Sequence, residues 1–412
     1  MESITSKLMI LMLLSIVFAS GCKKDVLPVE PDPTPYEVYI SHNYVATYSA
    51  SSIKNMYSTL QIAYPYAAAL TDKVHYDVNV YKVIYKTSFK GDEVDASGLV
   101  CVPLSSSSAL PMISFQNGTN TSHAEAPTKD LGNPMFQYLH AAASMGYIML
   151  IPDYLGFGAS EQMMHPYLHK KSTVASVENL ITATREMITD SLIKVKWNND
   201  LYLMGYSQGG WSTLCTHYDI NKVSSLPFKV KASVCGAGPY NLSVVQNFMF
   251  ENITYPMPVY MAYLGVAYQH YDLVPNPLTD FFNQPYADNL PSYFNGQYTN
   301  QEINEMLNDT VEVLIAPSFF NGISNDPAYE DFRRAMADNS ISGWNTDVPI
   351  RLYHGTSDIY VPKATSEQVY QEFVNAGASN VSYFPLDGLD HSTAAAPTII
   401  KALLWFNDME GK

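Results

Sequence analysis

The chain has 412 residues, 47% hydrophobic and 15% charged, with 39 acidic residues against 23 Lys and Arg and a formal charge of −16. This is the composition of a folded chain and not of a disordered one. So acidic a balance, with no basic cluster to neutralise phosphate, excludes nucleic acid or an anionic surface as the main partner.

Residues 8–18 form an apolar run preceded by Lys7 and followed by small residues, the pattern of a secretory signal and too short to span a bilayer. Phe18-Ala19-Ser20-Gly21-Cys22 is similar to a bacterial lipobox. Residues 1–21 are therefore expected to be a signal peptide, with Cys22 as the lipidated mature N-terminus of an exported protein anchored in the bacterial cell envelope. Residues 23–35 are proline-dense without apolar periodicity, an extended spacer of about 3 Å per residue, and the whole linker is placed at 22–40. Cys101, Cys215 and Cys235 have spacings that suit neither a zinc site nor a disulfide framework, so buried inert thiols are expected.

Beyond the linker, residues 49–70 read as a helix pair, and 76–85 with 96–103, joined through Lys90-Gly91-Asp92, as a β-hairpin. Strands then alternate with helices: strand 112–115, helix 134–145, strand 147–151, helix 173–188, strand 201–204, helix 210–218, strand 230–235. That grammar implies a mostly parallel central sheet with helices on both faces.

The alternation stops at 239–344, a stretch rich in Tyr, Phe, Pro and Asn. Thr299 with Glu302 makes a capping box, and Asp326-Pro327 pairs an N-cap with proline at the first helical position, so the stretch is read as a mostly helical cap inserted after the sixth strand. Strand 350–353, helix 363–376, strand 381–384 and helix 397–409 resume the pattern. The core is thus 41–238 plus 345–412, an α/β architecture.

Gly205-Tyr206-Ser207-Gln208-Gly209 falls where strand 201–204 breaks and a helix begins. A serine at the apex of such a turn is pushed clear of the sheet, and the helix aims unpaired amides at the place where an oxyanion would form. Asp358 and His391 follow the two resumed strands, and in an open parallel sheet residues just past the carboxyl ends converge on one edge. A serine hydroxyl is a poor nucleophile until a histidine takes its proton, and the histidine needs a carboxylate to fix its tautomer. Asp387 and Asp390 compete for the acid role; Asp358 is preferred because Asp390 adjoins His391 and its side chain would point away. The second oxyanion amide is expected in the loop Gln116-Asn117-Gly118-Thr119-Asn120, at Thr119, alongside that of Gln208. His165 and His169 stand four apart, but no glutamate follows the first and Pro166 interrupts a helix, so they read as surface or packing histidines. The chemistry calls for neither metal nor cofactor.

Together, Gln116-Asn117-Gly118-Thr119, Asp153-Tyr154-Leu155-Gly156-Phe157-Gly158, Gly205-Tyr206-Ser207-Gln208-Gly209-Gly210, His354-Gly355-Thr356-Ser357-Asp358 with Val361-Pro362, and Asp390-His391 resemble α/β-hydrolases, and more narrowly the secretory lipase family. The resemblance covers residues 76–412 and departs at Asn117, where histidine is commoner before the glycine. It implies a lipase or carboxylesterase acting on a small-molecule ester through an acyl-enzyme. The Asp153 loop is expected to line the pocket mouth and tie the strand end to the oxyanion loop. Cap residues Tyr260, Tyr263, Tyr268, Phe281, Phe282, Tyr293 and Phe294 supply either an acyl-binding wall or the cap's own core. Three alternatives stay open. One is a serine exopeptidase of the same fold, using Glu251 or Glu302 to hold a peptide amine; another is a polysaccharide acetyl or feruloyl esterase. The last, a non-catalytic surface-binding lipoprotein, has no need for a complete Ser, Asp, His set. Oligomeric state is not legible.

Overall fold

The computed structural model describes residues 37–412 apart from Ser225. The expected leader 1–21, Cys22 and the spacer 23–35 lie outside the described residues.

One nine-stranded sheet organises the described chain: β1 (Tyr39–Tyr48), β2 (Val78–Phe89), β3 (Asp92–Pro103), β4 (Ala109–Gln116), β5 (Ile148–Pro152), β6 (Lys196–Tyr206), β7 (Lys229–Gly236), β8 (Ile350–Gly355) and β9 (Val381–Leu386). Their spatial order is β1-β2-β3-β5-β4-β6-β7-β8-β9. The pairs β1/β2, β2/β3 and β3/β5 are antiparallel, and the rest are parallel. The β2–β3 hairpin closes through Lys90 and Gly91 at φ 51° and 95°, the left-handed pair that matches strand twist.

Residue alternation along the parallel strands explains the layers. Met112, Ile148, Leu150, Leu201 and Leu203 join one apolar cluster, with Leu180 and Ile181 of the helix Lys170–Thr189. Their neighbours Ile113, Met149, Ile151, Tyr202 and Met204 join another, with Ile53, Leu139 and Phe406 from helices Ala50–Ala63, Pro134–Ala142 and Ala395–Met409. Each such side chain removed from water stabilises the fold by about 1.5–3 kcal/mol.

In chain order the α-helices are α1 (Ala50–Ala63), α2 (Ala68–Thr71), α3 (Pro134–Ala142), α4 (Lys170–Thr189), α5 (Gln208–Lys222), α6 (Leu242–Phe250), α7 (Pro258–His270), α8 (Tyr286–Tyr293), α9 (Asn300–Met306), α10 (Val311–Leu314), α11 (Pro317–Gly322), α12 (Glu330–Asn339), α13 (Ala364–Asn375) and α14 (Ala395–Met409). The helices α6 to α12 lie between β7 and β8. Two details of the expected organisation change. β1 begins at Tyr39, inside the segment assigned to the linker, and it raises the strands before the helical insertion from six to seven. The sequence hides it because this ten-residue edge strand has no fully buried position to set up an apolar alternation, and it follows a proline-rich run.

The capping box at Thr299 and Glu302 is present, and Asp326 accepts a hydrogen bond from the Ala328 amide ahead of α12. The ends of the insertion are clasped together: the Ile341 amide donates to the Tyr240 carbonyl at 2.8 Å and the Leu242 amide to Ser340 Oγ at 3.0 Å. Trp211 of α5 is fully buried and its Nε1–H donates to the Asn339 carbonyl at 2.9 Å, which ties α12 to the helix behind Ser207. Cys101, Cys215 and Cys235 are buried free thiols. Among the described residues no helix is long and apolar enough to cross a membrane.

Candidate active site

The chain leaves β4 for β5 on one side and returns to β6 on the other, so the crevice at the carboxyl ends of β4 and β6 is a topological switch point, where open α/β sheets bind ligands. The loop after β4 and the turn after β6 both open there.

Ser207 caps α5 with φ 59° and ψ −125°, a strained conformation for a residue with a Cβ. Its amide donates to the Gly236 carbonyl of β7 at 2.9 Å, which holds the turn to the sheet. Two residues on, a Cβ at Gly209 would lie 1.8 Å from the Gln116 carbonyl oxygen, so only glycine lets α5 start this close to β4.

His391 comes from the loop after β9. Its Nε2 lies 2.9 Å from Ser207 Oγ and its Nδ1 2.7 Å from Asp358 Oδ2. Asp358 follows β8, and its Oδ1 accepts the amides of Tyr360 and Val361, each at 2.9 Å. Burial works to raise the Asp358 pKa, but hydrogen bonds from His354 and His391 outweigh it and hold the carboxyl well below the usual range. The structure therefore brings together the three side chains expected to converge. Asp390 is turned away, accepting from the amide of Thr393 at 2.8 Å and its hydroxyl at 2.7 Å. Tyr206 Oη donates to the His391 carbonyl at 2.6 Å, a brace on the histidine loop that sequence reasoning missed.

Thr119 and Gln208 both line the cavity onto which Ser207 opens. As the first residue of α5, Gln208 has an amide without an intrahelical acceptor. Thr119 Oγ1 lies 3.0 Å from Tyr167 Oη, and its carbonyl accepts from Asn300 Nδ2 at 2.8 Å, so the insertion holds this loop in place. The Gln208 side chain reaches His165: its Nε2 is 3.0 Å from His165 Nε2, while His165 Nδ1 is 2.6 Å from the Leu155 carbonyl. The carbonyl can only accept, so Nδ1 carries the proton and Nε2 accepts from Gln208. Burial lowers the His165 pKa to about 4 and keeps the ring neutral. His169 instead bonds Ser172 at the start of α4, so the two histidines do not share a ligand.

Asp153 is fully buried and does not reach the pocket mouth. It accepts from Ser97 Oγ and from the amide and hydroxyl of Thr128, joining the end of β5 to the stretch after β4. Burial pushes it up to about 6 despite those bonds.

The cavity extends from Ser207 into the insertion, between Leu242, Met249, Leu264, Phe281, Phe319 and Met336. Among the described residues that line it, none is charged. The cap aromatics divide. Tyr260, Phe281 and Phe282 line the cavity, whereas Tyr263 is sandwiched in a stack between Tyr167 and Phe294, each 4.5 Å away, and Tyr268 packs on Phe332. Glu302 is used in its capping box, and Glu251 sits exposed at the end of α6; neither lines the cavity.

A mostly parallel sheet with helices on both faces, a strained strand-turn-helix serine and an insertion before the last two strands define the α/β-hydrolase fold. No protein-family model matches the chain, and no curated protein matches it in sequence. Solved structures do. A hydrolase candidate from Legionella pneumophila subsp. pneumophila str. Philadelphia 1 is 25% identical with a TM-score of 0.81, over 91% of this chain and 98% of that one. The rice cell wall degrading esterase LipA from Xanthomonas oryzae, in a ligand-bound form, is 23% identical with a TM-score of 0.76, over 90% and 97%. Candida antarctica lipase A is 16% identical with a TM-score of 0.63, over 89% and 81%. At such identities what is shared is the fold, which hosts many activities.

Proposed function

We propose that the protein is a serine ester hydrolase that works through an acyl-enzyme on Ser207. The reading rests above all on one observation: a strained serine is linked at 2.9 Å and 2.7 Å through His391 to Asp358, at the mouth of an uncharged cavity. His391 Nε2 takes the Ser207 proton as Oγ attacks the ester carbonyl. Asp358 keeps Nδ1 protonated and stabilises the imidazolium. The amides of Gln208 and Thr119 receive the charge that develops on the carbonyl oxygen. His391 then protonates the departing alcohol, and water, deprotonated by the same ring, releases the acid.

An apolar acyl or aromatic part suits a cavity of Leu, Met and Phe side chains. An exopeptidase would need a carboxylate for the peptide amine, and the cavity lining contains none among the described residues. The esterase and lipase named above, which share the fold, are in keeping with ester cleavage.

Initial rates on p-nitrophenyl esters from acetyl to palmitoyl, beside an aminoacyl p-nitroanilide, test the proposal. Ser207→Ala should lower kcat by up to on the order of a millionfold without loss of fold. Retained ester turnover in a folded Ser207→Ala protein, or cleavage of the anilide alone, would overturn it. We further propose that Cys22 carries lipid and tethers the enzyme to the bacterial envelope through the proline-rich spacer 23–35. Metabolic labelling with an alkynyl fatty acid should mark the wild type and not Cys22→Ser.

A further inference from the structure

His354 is the last residue but one of β8 and is fully inaccessible to solvent. Its Nε2 faces two oxygens, the Val361 carbonyl at 2.9 Å and Asp358 Oδ2 at 3.2 Å. Two acceptors without a donor would repel, so Nε2 carries a proton shared between them. Nδ1 lies 2.7 Å from Ser366 Oγ in the first turn of α13, and the Ser366 hydroxyl donates to it when the ring is neutral.

The Asp358 carboxylate therefore meets four donors. Oδ1 takes the amides of Tyr360 and Val361. Oδ2 takes His391 Nδ1–H, on the path to Ser207, and lies 3.2 Å from His354 Nε2, whose proton also faces the Val361 carbonyl and whose other ring nitrogen leads away to Ser366. The longer contact belongs to His354, so it does not displace His391 but fills a lone pair that water cannot reach. Without it Oδ2 would keep His391 as its sole donor, and the carboxylate plane would be held by one contact fewer on the side away from Ser207.

We propose that His354 is a positioning residue for the triad: its Nε2–H fixes the Asp358 carboxylate plane, and through it the direction in which His391 presents Nε2 to Ser207. This rests on the ester-hydrolase reading only where turnover is the readout. A carboxylate out of position tilts the imidazole, and misplacement on the scale of an ångström costs rate far more than substrate binding.

The test compares wild type with His354→Phe, which keeps a ring without the donor, and His354→Gln, whose amide restores one. Three readouts are taken: the low-field NMR resonance of the His391 Nδ1 proton in resting enzyme, the rate of Ser207 labelling by a fluorophosphonate, and kcat with KM on a p-nitrophenyl ester. For His354→Phe we expect the resonance to move or broaden, labelling and kcat to fall roughly ten- to a hundredfold, and KM to change less than about twofold. His354→Gln should recover most of each. Unchanged resonance and rates in folded His354→Phe overturn the proposal. So does His354→Gln as impaired as His354→Phe, with losses that track the folded fraction alone. Should His354→Phe not fold, His354→Asn, too short to reach Oδ2, takes its place against His354→Gln. A wild type that turns over no ester defeats the function proposed above, while resonance and labelling still decide the role of His354.

Discussion

Gly355 and Leu389 meet backbone to backbone: a Cβ on Gly355 would stand 2.3 Å from the Leu389 carbonyl oxygen. The contact joins the end of the strand that leads to Asp358 to the loop that carries His391. The Ser357 amide donating to that same carbonyl at 3.0 Å, and the Thr356 amide to that of Leu386 at 3.0 Å, stitch the seam on either side. Gly355→Ala should part the two loops. We expect a loss of about 1–3 kcal/mol in stability and, because Asp358 and His391 move relative to each other, a fall in kcat of at least tenfold. Denaturant unfolding and ester turnover measured on one preparation check both; wild-type turnover would mean that the seam yields without effect.

Ser207 holds its positive φ at a cost in stability. Ser207→Gly removes that cost, and the midpoint of urea unfolding should rise by an amount equivalent to about 1–2 kcal/mol while turnover falls to background. Ser207→Ala keeps a Cβ in the same conformation and should lack that gain. The difference between the two variants isolates the strain.

Leu264, half-buried on α7, lines the cavity. Leu264→Trp should fill it and leave the Ser207 mouth open. Relative to the acetyl ester, kcat/KM on the palmitoyl ester should drop by at least tenfold, since a single methylene in such a pocket is worth about 1–3 kcal/mol. An unchanged ratio would put the acyl chain elsewhere.

His140 in α3 is buried, and neither ring nitrogen has a hydrogen-bond partner among the described residues. Burial lowers its pKa from 6.5 to about 4. Between those values the unfolded chain holds a proton that the folded chain does not. Stability from this group is therefore complete above about 6.5 and is lost as pH falls towards 4, at about 1.4 kcal/mol per pH unit. His140→Leu should flatten the fall in unfolding free energy between pH 6.5 and pH 4. A slope identical to that of the wild type would mean that the ring is already charged, or solvated, in the folded protein.

Parallel strands were readable because burial on both faces writes them as unbroken apolar runs, as in Leu201-Tyr202-Leu203-Met204, all fully or almost fully buried. The strand β1 was not, since none of its positions is fully buried and nothing local separates it from the linker. Within the insertion, caps such as Thr299 and Asp326 were legible one by one. The path of the chain was not: α7 buries Val259, Ala262, Tyr263, Val266 and Ala267 on one face while Tyr260, Met261 and Leu264 on another line the cavity, so apolar residues run round the helix and erase periodicity. Convergence of Ser207, Asp358 and His391 followed from strand order. The work of His354 and His165 did not, because each is defined by backbone carbonyls, of Val361 and Leu155, whose positions exist only once the loops have folded.

The clasp at Tyr240–Ile341 and Leu242–Ser340 closes the insertion into a loop at its own base. The stem fixes the spacing between the two ends of the insertion however long the chain between is, and closure entropy grows only slowly with added length. An insertion exchanged between residues 242 and 340 would therefore have to restore the ties made outside the stem, Asn339 to Trp211 and Asn300 to the Thr119 loop, before the Ser207 end of the cavity kept its shape.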